Sequence, residues 1–314
     1  MKLSRRILAL VFLAVTPGNA FAAGSIEYRG LCEASAVAFI DATHFAMASD
    51  ETNTLQLYEF GKPDPLGEGV DFEDFTGFDK SDLEGAAAIG NRIYWISSHS
   101  FNSDGEDKKK RKVLFATEVV EGTDGPTLKG VGEASITLRD RLVEAASVAK
   151  KELNIEGLAA TPDGGLLIGL RAPLQNNKAL VIRLENPAAV IDNAEAPKFG
   201  APMEIKLDGM GIRSLEQVGM GDRAYLISAG PVSDSTEGIA LYWWSGSGDP
   251  VKVENFGFGE HPNFKPEAIA VVPGTQTIAI FSDDGKKNVC EDEDDKTPKE
   301  DRKFRGIVFD MGAN

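Results

Sequence analysis

Asn154-Ile155-Glu156-Gly157-Leu158-Ala159-Ala160, closed fifteen residues after its glutamate by Gly169-Leu170-Arg171, is the stretch on which the fold turns. A glutamate and a small residue open an apolar run, a Pro-Asp-Gly-Gly turn follows, and a second apolar run ends on a polar residue. Short runs rich in Val, Ile, Leu and aromatic residues, bounded by Gly, Asp and Pro, are strand signals, so this reads as an antiparallel strand pair. Outward from it the pattern returns at Cys32-Glu33-Ala34-Ser35-Ala36, Asp82-Leu83-Glu84-Gly85-Ala86, Ser214-Leu215-Glu216-Gln217-Val218 and Lys265-Pro266-Glu267-Ala268-Ile269. The glutamates are 51, 72, 60 and 51 residues apart, and each second run ends about 13 to 17 residues later, at Asp50, His99, Arg171, Gly230 and Asp283.

The flanks repeat as well. A third apolar run follows each polar loop: Leu55 to Phe60, Val113 to Val120, Ala179 to Leu184, Gly238 to Trp244 and Phe304 to Met311. Most units add a fourth, alternating strand, at Ser135 to Leu138, Met203 to Leu207 and Val251 to Val253. Four strands per unit of about 50 residues is the signature of a propeller blade. The expected fold is therefore an all-β, five-bladed propeller of four-stranded antiparallel blades in one domain, residues 23–314. The fifth unit reaches the end of the chain after its third strand, and Ser25-Ile26-Glu27-Tyr28-Arg29 is left over. That N-terminal piece is expected to complete the last blade, which leaves no open edge at the join. The 72-residue interval holds Asp140 to Leu153, where Leu142, Val143, Ala146, Ala149 and Leu153 follow helical spacing, so one inserted helix is expected there.

With these repeats in view the chain resembles an exported bacterial family known as domain of unknown function 3616. The likeness is carried by Asp82-Leu83-Glu84-Gly85-Ala86, Asn154-Ile155-Glu156-Gly157-Leu158 and Lys265-Pro266-Glu267-Ala268-Ile269, over roughly residues 25 to 311. The Glu-Gly opening is also similar to that of phytase-like esterase propellers. The resemblance implies a β-propeller and brings no established reaction with it.

Composition bounds the setting. A hydrophobic fraction of 42% excludes intrinsic disorder, and a formal charge of −16 disfavours nucleic acid as a partner. Residues 1–22 read as a signal peptide: Lys2, Arg5 and Arg6 precede the apolar stretch Ile7 to Val15, and Ala20-Phe21-Ala22 offers a cleavage site. Nine apolar residues rise only about 14 Å as a helix, too short for a bilayer span. Export to the periplasm or outside the cell is expected, as a monomer that leaves the membrane once the signal is removed. The remaining pair of cysteines, Cys32 and Cys290, is expected to form a disulfide, which in the chain-entropy account would stabilise by about 5 kcal/mol.

In an up-and-down blade the approach to the first strand and the loop after the second lie at one end of the ring. The rim should then gather Glu33, Glu84, Glu156, Glu216 and Glu267 with Asp50, His99, Arg171, Arg213 and Asp283 as candidate ligand-binding residues. Carboxylates crowded round a channel need a cation, basic side chains, backbone amides or protonation to offset them. Glu84, Glu156 and Glu267 are the candidate metal ligands, and Ca²⁺ is the ion that suits such oxygens. Three roles stay open for the repeated glutamate: holding the blades, binding a small molecule or ion, or catalysis. The corresponding functions are an exported ligand- or cation-binding propeller, a calcium-dependent phosphoesterase using Arg171 or His99 on the phosphate, and a protein-interaction scaffold. No catalytic residue stands out: His44, His99 and His261 lack metal-ligand spacing, and no nucleophile elbow occurs. The basic run Asp107 to Lys112 and the acidic run Glu291 to Asp295 read as solvated loops, and Tyr94-Trp95 and Tyr242-Trp243-Trp244 as packing between blades.

Overall fold

The computed structural model describes residues 25–122, 125–233, 238–254, 261, 263–285, 297–298 and 301–310. The signal segment, Cys290 and the acidic run 291–295 lie outside the described residues. β1 (Ile26–Arg29) is followed by β2 (Ala36–Phe39), β3 (His44–Ala48), β4 (Thr54–Glu59) and β5 (Val70–Asp71), the first blade. The second is β6 (Leu83–Ile89), β7 (Arg92–Ser97), β8 (Leu114–Gly122) and β9 (Gly125–Ser135), and the third β10 (Asn154–Ala160), β11 (Leu166–Ala172), β12 (Ala179–Leu184) and β13 (Met203–Ile205). The fourth is β14 (Gly211–Gln217), β15 (Tyr225–Gly230), β16 (Ala240–Trp244) and β17 (Val251–Lys252). β18 (Pro266–Val271), β19 (Thr277–Ser282) and β20 (Lys303–Asp310) make three strands of the fifth, and β1 supplies its fourth by pairing antiparallel with β20, Tyr28 opposite Phe304. The first strands β2, β6, β10, β14 and β18 neighbour one another in a closed ring and form the wall of a central channel.

Period-two alternation explains how one sheet packs on two neighbours. In β3, Phe45 and Met47 join the core between blades five and one, while Ala46 and Ala48 join the core between blades one and two. Five hydrophobic cores result, one at each seam. The seam that closes the ring is aromatic: Tyr28 lies 5.4 Å from Phe45, 5.5 Å from Tyr58 and 5.2 Å from Phe304 between ring centroids. Each such contact adds about 0.5–1.5 kcal/mol to the burial itself. Its edge is fastened by the Tyr58 hydroxyl, which donates to the Arg29 carbonyl at 2.6 Å.

Glycine after the repeated glutamate has a packing reason. A Cβ on Gly85 would stand 2.8 Å from Leu158 Cβ in the next blade, and one on Gly157 would stand 2.8 Å from Ile212 Cγ2 in the blade after. The inner strands come together too closely for a side chain there.

The connections differ from expectation in three places. The inserted helix is α2 (Leu138–Ala146), preceded in blade one by the single turn α1 (Glu73–Thr76) and followed in blade three by α3 (Pro187–Asn193), so there are three helices among the described residues instead of one. α2 stops earlier than its apolar spacing suggested because Ser147 adopts a left-handed φ of 55° and its amide turns back to Glu144 and Val143. Ser135 to Leu138 is not a fourth strand: β9 runs up to Ser135, and Leu138 opens α2. The long β8–β9 hairpin instead reaches α3, where Arg92 Nη1 on β7 donates to both carboxylate oxygens of Asp192 at 2.9 Å.

Candidate functional site

A β-bulge builds the channel wall. Register slips by one residue between Leu83 and Gly85, Ile155 and Gly157, Ile212 and Ser214, and Pro266 and Ala268. The extra residue, unpaired in the ladder, is Glu84, Glu156, Arg213 and Glu267 in turn. In blade one Ser35 has the matching place, its amide and hydroxyl both donating to the Ala48 carbonyl at 3.1 Å. The channel at this level is lined by Ser35, Glu84, Glu156 and Ser214 and holds a cavity of only ≈ 10 Å³, far below the usual size of an organic-ligand pocket.

Two of the five repeated glutamates therefore stand elsewhere. Glu216 is three residues past the bulge and pairs with Leu226 in regular register; Arg213 occupies its expected place. Ser214-Leu215-Glu216 imitates the motif one half-turn of the pattern too late. Glu216 instead accepts from the Val271 amide on β18 at 3.4 Å, and burial pushes its carboxyl up to about 8. Glu33 lies two residues before the bulge position, the place that Asp82 has in blade two.

Charge divides the rim into two halves. Over blades three to five the acids are matched: Arg171 Nη1 donates to Glu156 Oε1 at 2.7 Å, and Arg213 Nη1 donates to Glu156 Oε2 at 3.3 Å and to Glu267 Oε1 at 2.8 Å. Arg171 and Arg213 are 9% and 6% exposed, which makes these buried ion pairs whose partners depend on one another. Burial still raises the carboxyl pKa of both Glu156 and Glu267 against the pull of Arg213. Arg171 Nη2 also donates to the Ser233 carbonyl at 2.6 Å, and Asp283 pairs with Lys265 at 3.2 Å. Of the two residues expected to meet a phosphate, Arg171 is thus held within the protein and His99 is fully buried. Burial, with Arg139 and Lys112 nearby, lowers the His99 imidazole to about 3, so it is neutral.

Over blades one and two the acids crowd together. Oxygens of Asp50, Asp82 and Glu84 all lie within 4.8 Å of one another, and so do oxygens of Glu33, Asp50 and Glu51. Asp50 belongs to both groups. Its Oδ1 is buried and receives no hydrogen bond among the described residues. Burial drives the Asp50 carboxyl well above its ordinary range, with the adjoining Glu33 carboxyl adding to the rise. Glu84 is raised in the same way, by burial first and then by Asp82, Glu156 and Asp50. Among the described residues Lys80 bonds Glu51, and Arg111 Nη2 lies 2.6 Å from Asp82 Oδ2, which also accepts from the Ser98 hydroxyl. Arg111 comes from the basic run read as a solvated loop. That run also pairs Lys110 with Asp79 at 3.5 Å and Lys112 with Asp107 at 2.6 Å.

Sequence reasoning missed Asp82, Glu51, Lys80 and Arg111. Asp82 was within reach, because it precedes the motif glutamate by two residues as Glu33 precedes Ser35. The basic residues approach from separate loops, which no local spacing reveals.

No curated protein matches the sequence. Among solved structures the chain is similar to Myxococcus xanthus glutaminyl cyclase, at 14% identity over 92% of this chain and 97% of that one, with a TM-score of 0.47. It is also similar to the Myceliophteria thermophila Cps50 (Swd1) beta-propeller domain, at 11% identity, 91% and 99% coverage and a TM-score of 0.37. Virginiamycin B lyase from Staphylococcus aureus gives 10% identity, 91% and 99% coverage and a TM-score of 0.37. Likeness this distant says nothing of activity. Residues 139–257, which run from α2 through the third and fourth blades and include Asn154 to Leu158, match the family described as protein of unknown function (DUF3616), and the described residues form a five-bladed propeller.

Proposed function

We propose that this propeller binds a divalent cation, calcium by the nature of its ligands, at the channel rim between blades one and two. Asp50, Asp82 and Glu84 are the ligands; of the expected trio Glu84, Glu156 and Glu267, only Glu84 is not engaged by Arg213. The observation that carries the reading is the meeting of three carboxylates within 4.8 Å, one of them buried and two part-buried. Oxygens on opposite sides of a calcium ion at 2.3–2.6 Å are about 4.6–5.2 Å apart, so these groups suit one ion. Without a cation the protonated form is favoured at Asp50 and Glu84, whose carboxyls burial and the neighbouring acids push upward.

Melting of the chelator-treated protein with and without calcium tests this. Saturation at about a hundred times Kd stabilises by about 2.7 kcal/mol, and so should raise Tm by about 5 °C. Glu84→Gln combined with Asp50→Asn should abolish the rise. No shift in the wild-type protein would overturn the assignment and leave the scaffold reading ahead. Export through the segment 1–22 and a bridge between Cys32 and Cys290 belong to the same proposal; a calcium site and a disulfide both suit an extracellular or periplasmic setting. No helix among the described residues is long and apolar enough to cross a membrane.

A further inference from the structure

We propose that the loop between β7 and β8 is an acid-released latch on blade two, with the enclosed imidazole of His99 as its trigger. His99 lies two residues past β7, is fully buried, and holds a left-handed φ of 55°, a conformation uncommon outside glycine. Its carbonyl accepts from Arg139 Nη1 of α2 at 3.1 Å. Arg139 is itself 1% exposed, bonds Asp107 in the same loop, and lies 4.9 Å over the centre of the Phe101 ring. One guanidinium thus pins the loop at three points. The Ser98 carbonyl adds a fourth tie, accepting from the Ile155 amide of blade three at 2.8 Å.

The charges that face the ring are of the wrong sign for an imidazolium. Arg139 from α2 and Lys112 from the turn before β8 both disfavour it. The acids of this region are engaged elsewhere: Asp107 by Arg139 and Lys112, Asp140 by Lys150, and Asp82 by Arg111 and the Ser98 hydroxyl. Neither ring nitrogen makes a hydrogen bond among the described residues. The adjacent Val113 carbonyl, which would favour the charged ring, already accepts from the Ser97 amide at 2.9 Å. Burial and the two cations therefore hold the enclosed imidazole neutral down to about pH 3.

Once the loop lets go, the ring meets water and takes its proton near the ordinary value of 6.5. The stability contributed by its enclosure is complete above about pH 6.5 and is lost as pH falls towards 3. The opening equilibrium of the loop should then grow about thirtyfold between pH 7.5 and pH 5. Arg111, the partner of Asp82, rides on the same loop, so its release also removes a positive charge from the rim.

Hydrogen exchange of the full protein followed by mass spectrometry, corrected for the intrinsic rate at each pH, reads the opening of residues 98–113, where the Ser98 and Asn102 amides are hydrogen-bonded. The wild-type segment should lose about thirtyfold in protection from pH 7.5 to pH 5, while β14 to β16 of blade four keep theirs. His99→Asn stays neutral and suits the left-handed backbone, so it should lose this pH dependence; circular dichroism establishes that it is folded. Should it not fold, NMR of the wild-type ring decides, since the signal of the enclosed His99 should remain that of a neutral imidazole at pH 5. Unchanged protection in the wild-type protein, an equal loss in folded His99→Asn, or a His99 ring that titrates near 6.5 while the loop stays protected overturns the latch.

Discussion

Glu216 shows what a misplaced motif residue does. Its carboxyl is enclosed at the contact of β14 with β18, and burial raises it to about 8 from an ordinary value of 4.5. The folded state then holds its proton more tightly than the unfolded chain. The stability this contributes is complete below about pH 4.5 and is lost as pH rises towards 8. Glu216→Gln, which stays neutral, should leave Tm unchanged near pH 5 and raise it by about 2–4 °C near pH 8, the response of a domain of this size to a kcal/mol or two. Melting curves from pH 5 to 9 would show it; an equal shift at both ends would mean that ionisation of Glu216 is not what differs. Arg213 is the complementary case: the position that blades two, three and five fill with an acid holds a guanidinium, and this single exchange balances Glu156 and Glu267 while leaving Glu84 outside the pairing.

Among the elements, the inner strand does most to shape the site. Its bulge turns one residue out of the ladder towards the channel, and the glycine after it lets the next blade approach. Gly157→Ala would set a methyl group 2.8 Å from Ile212 Cγ2 and 3.1 Å from Leu215 Cβ, so it should destabilise by about 1–3 kcal/mol, as overpacking does. Gly200→Ala, whose nearest atom would be 3.6 Å away, is the control and should be close to neutral in the same urea titration. How far these features could be read beforehand follows from their range. The Glu-Gly openings of β6 and β10 and the alternation along β3 are local patterns, and they are visible in the chain. The bulge of β14 is not, because a one-residue slip leaves the composition of a strand unchanged and Ser214-Leu215-Glu216 satisfies the same short template as Asn154-Ile155-Glu156. α3 carries a helix-start signal, Asn186 before Pro187, but the helix is only seven residues long, too short for a period to declare itself.

At the scale of the molecule, the ring is closed by β1 against β20 and by the aromatic core around Tyr28. Cys32 is fully buried just after this strand, and Asp284 of blade five donates its amide to the Cys32 carbonyl at 3.3 Å, so the proposed bridge to Cys290 would tie the same seam. If the protein is exported and oxidised as proposed, the intact mass of material recovered outside the cytoplasm should correspond to a chain beginning at Ala23, two hydrogens lighter than the reduced form. A chain that retains residues 1–22, or one that alkylates at both cysteines without reduction, would contradict it.

The amino-acid sequence by itself determined the blades, their number and the closure by the N-terminal strand, because repeated length, alternation and turn residues act within a few residues of one another and recur in every unit. Only the tertiary structure decided which acids meet. Glu33, Asp50 and Glu51 come from blade one, Asp82 and Glu84 from blade two, and Lys80 and Arg111 from the loops between strands. Their proximity depends on bulge register and on the rotation from one blade to the next, quantities set by the packing of whole sheets and not by any local run of residues.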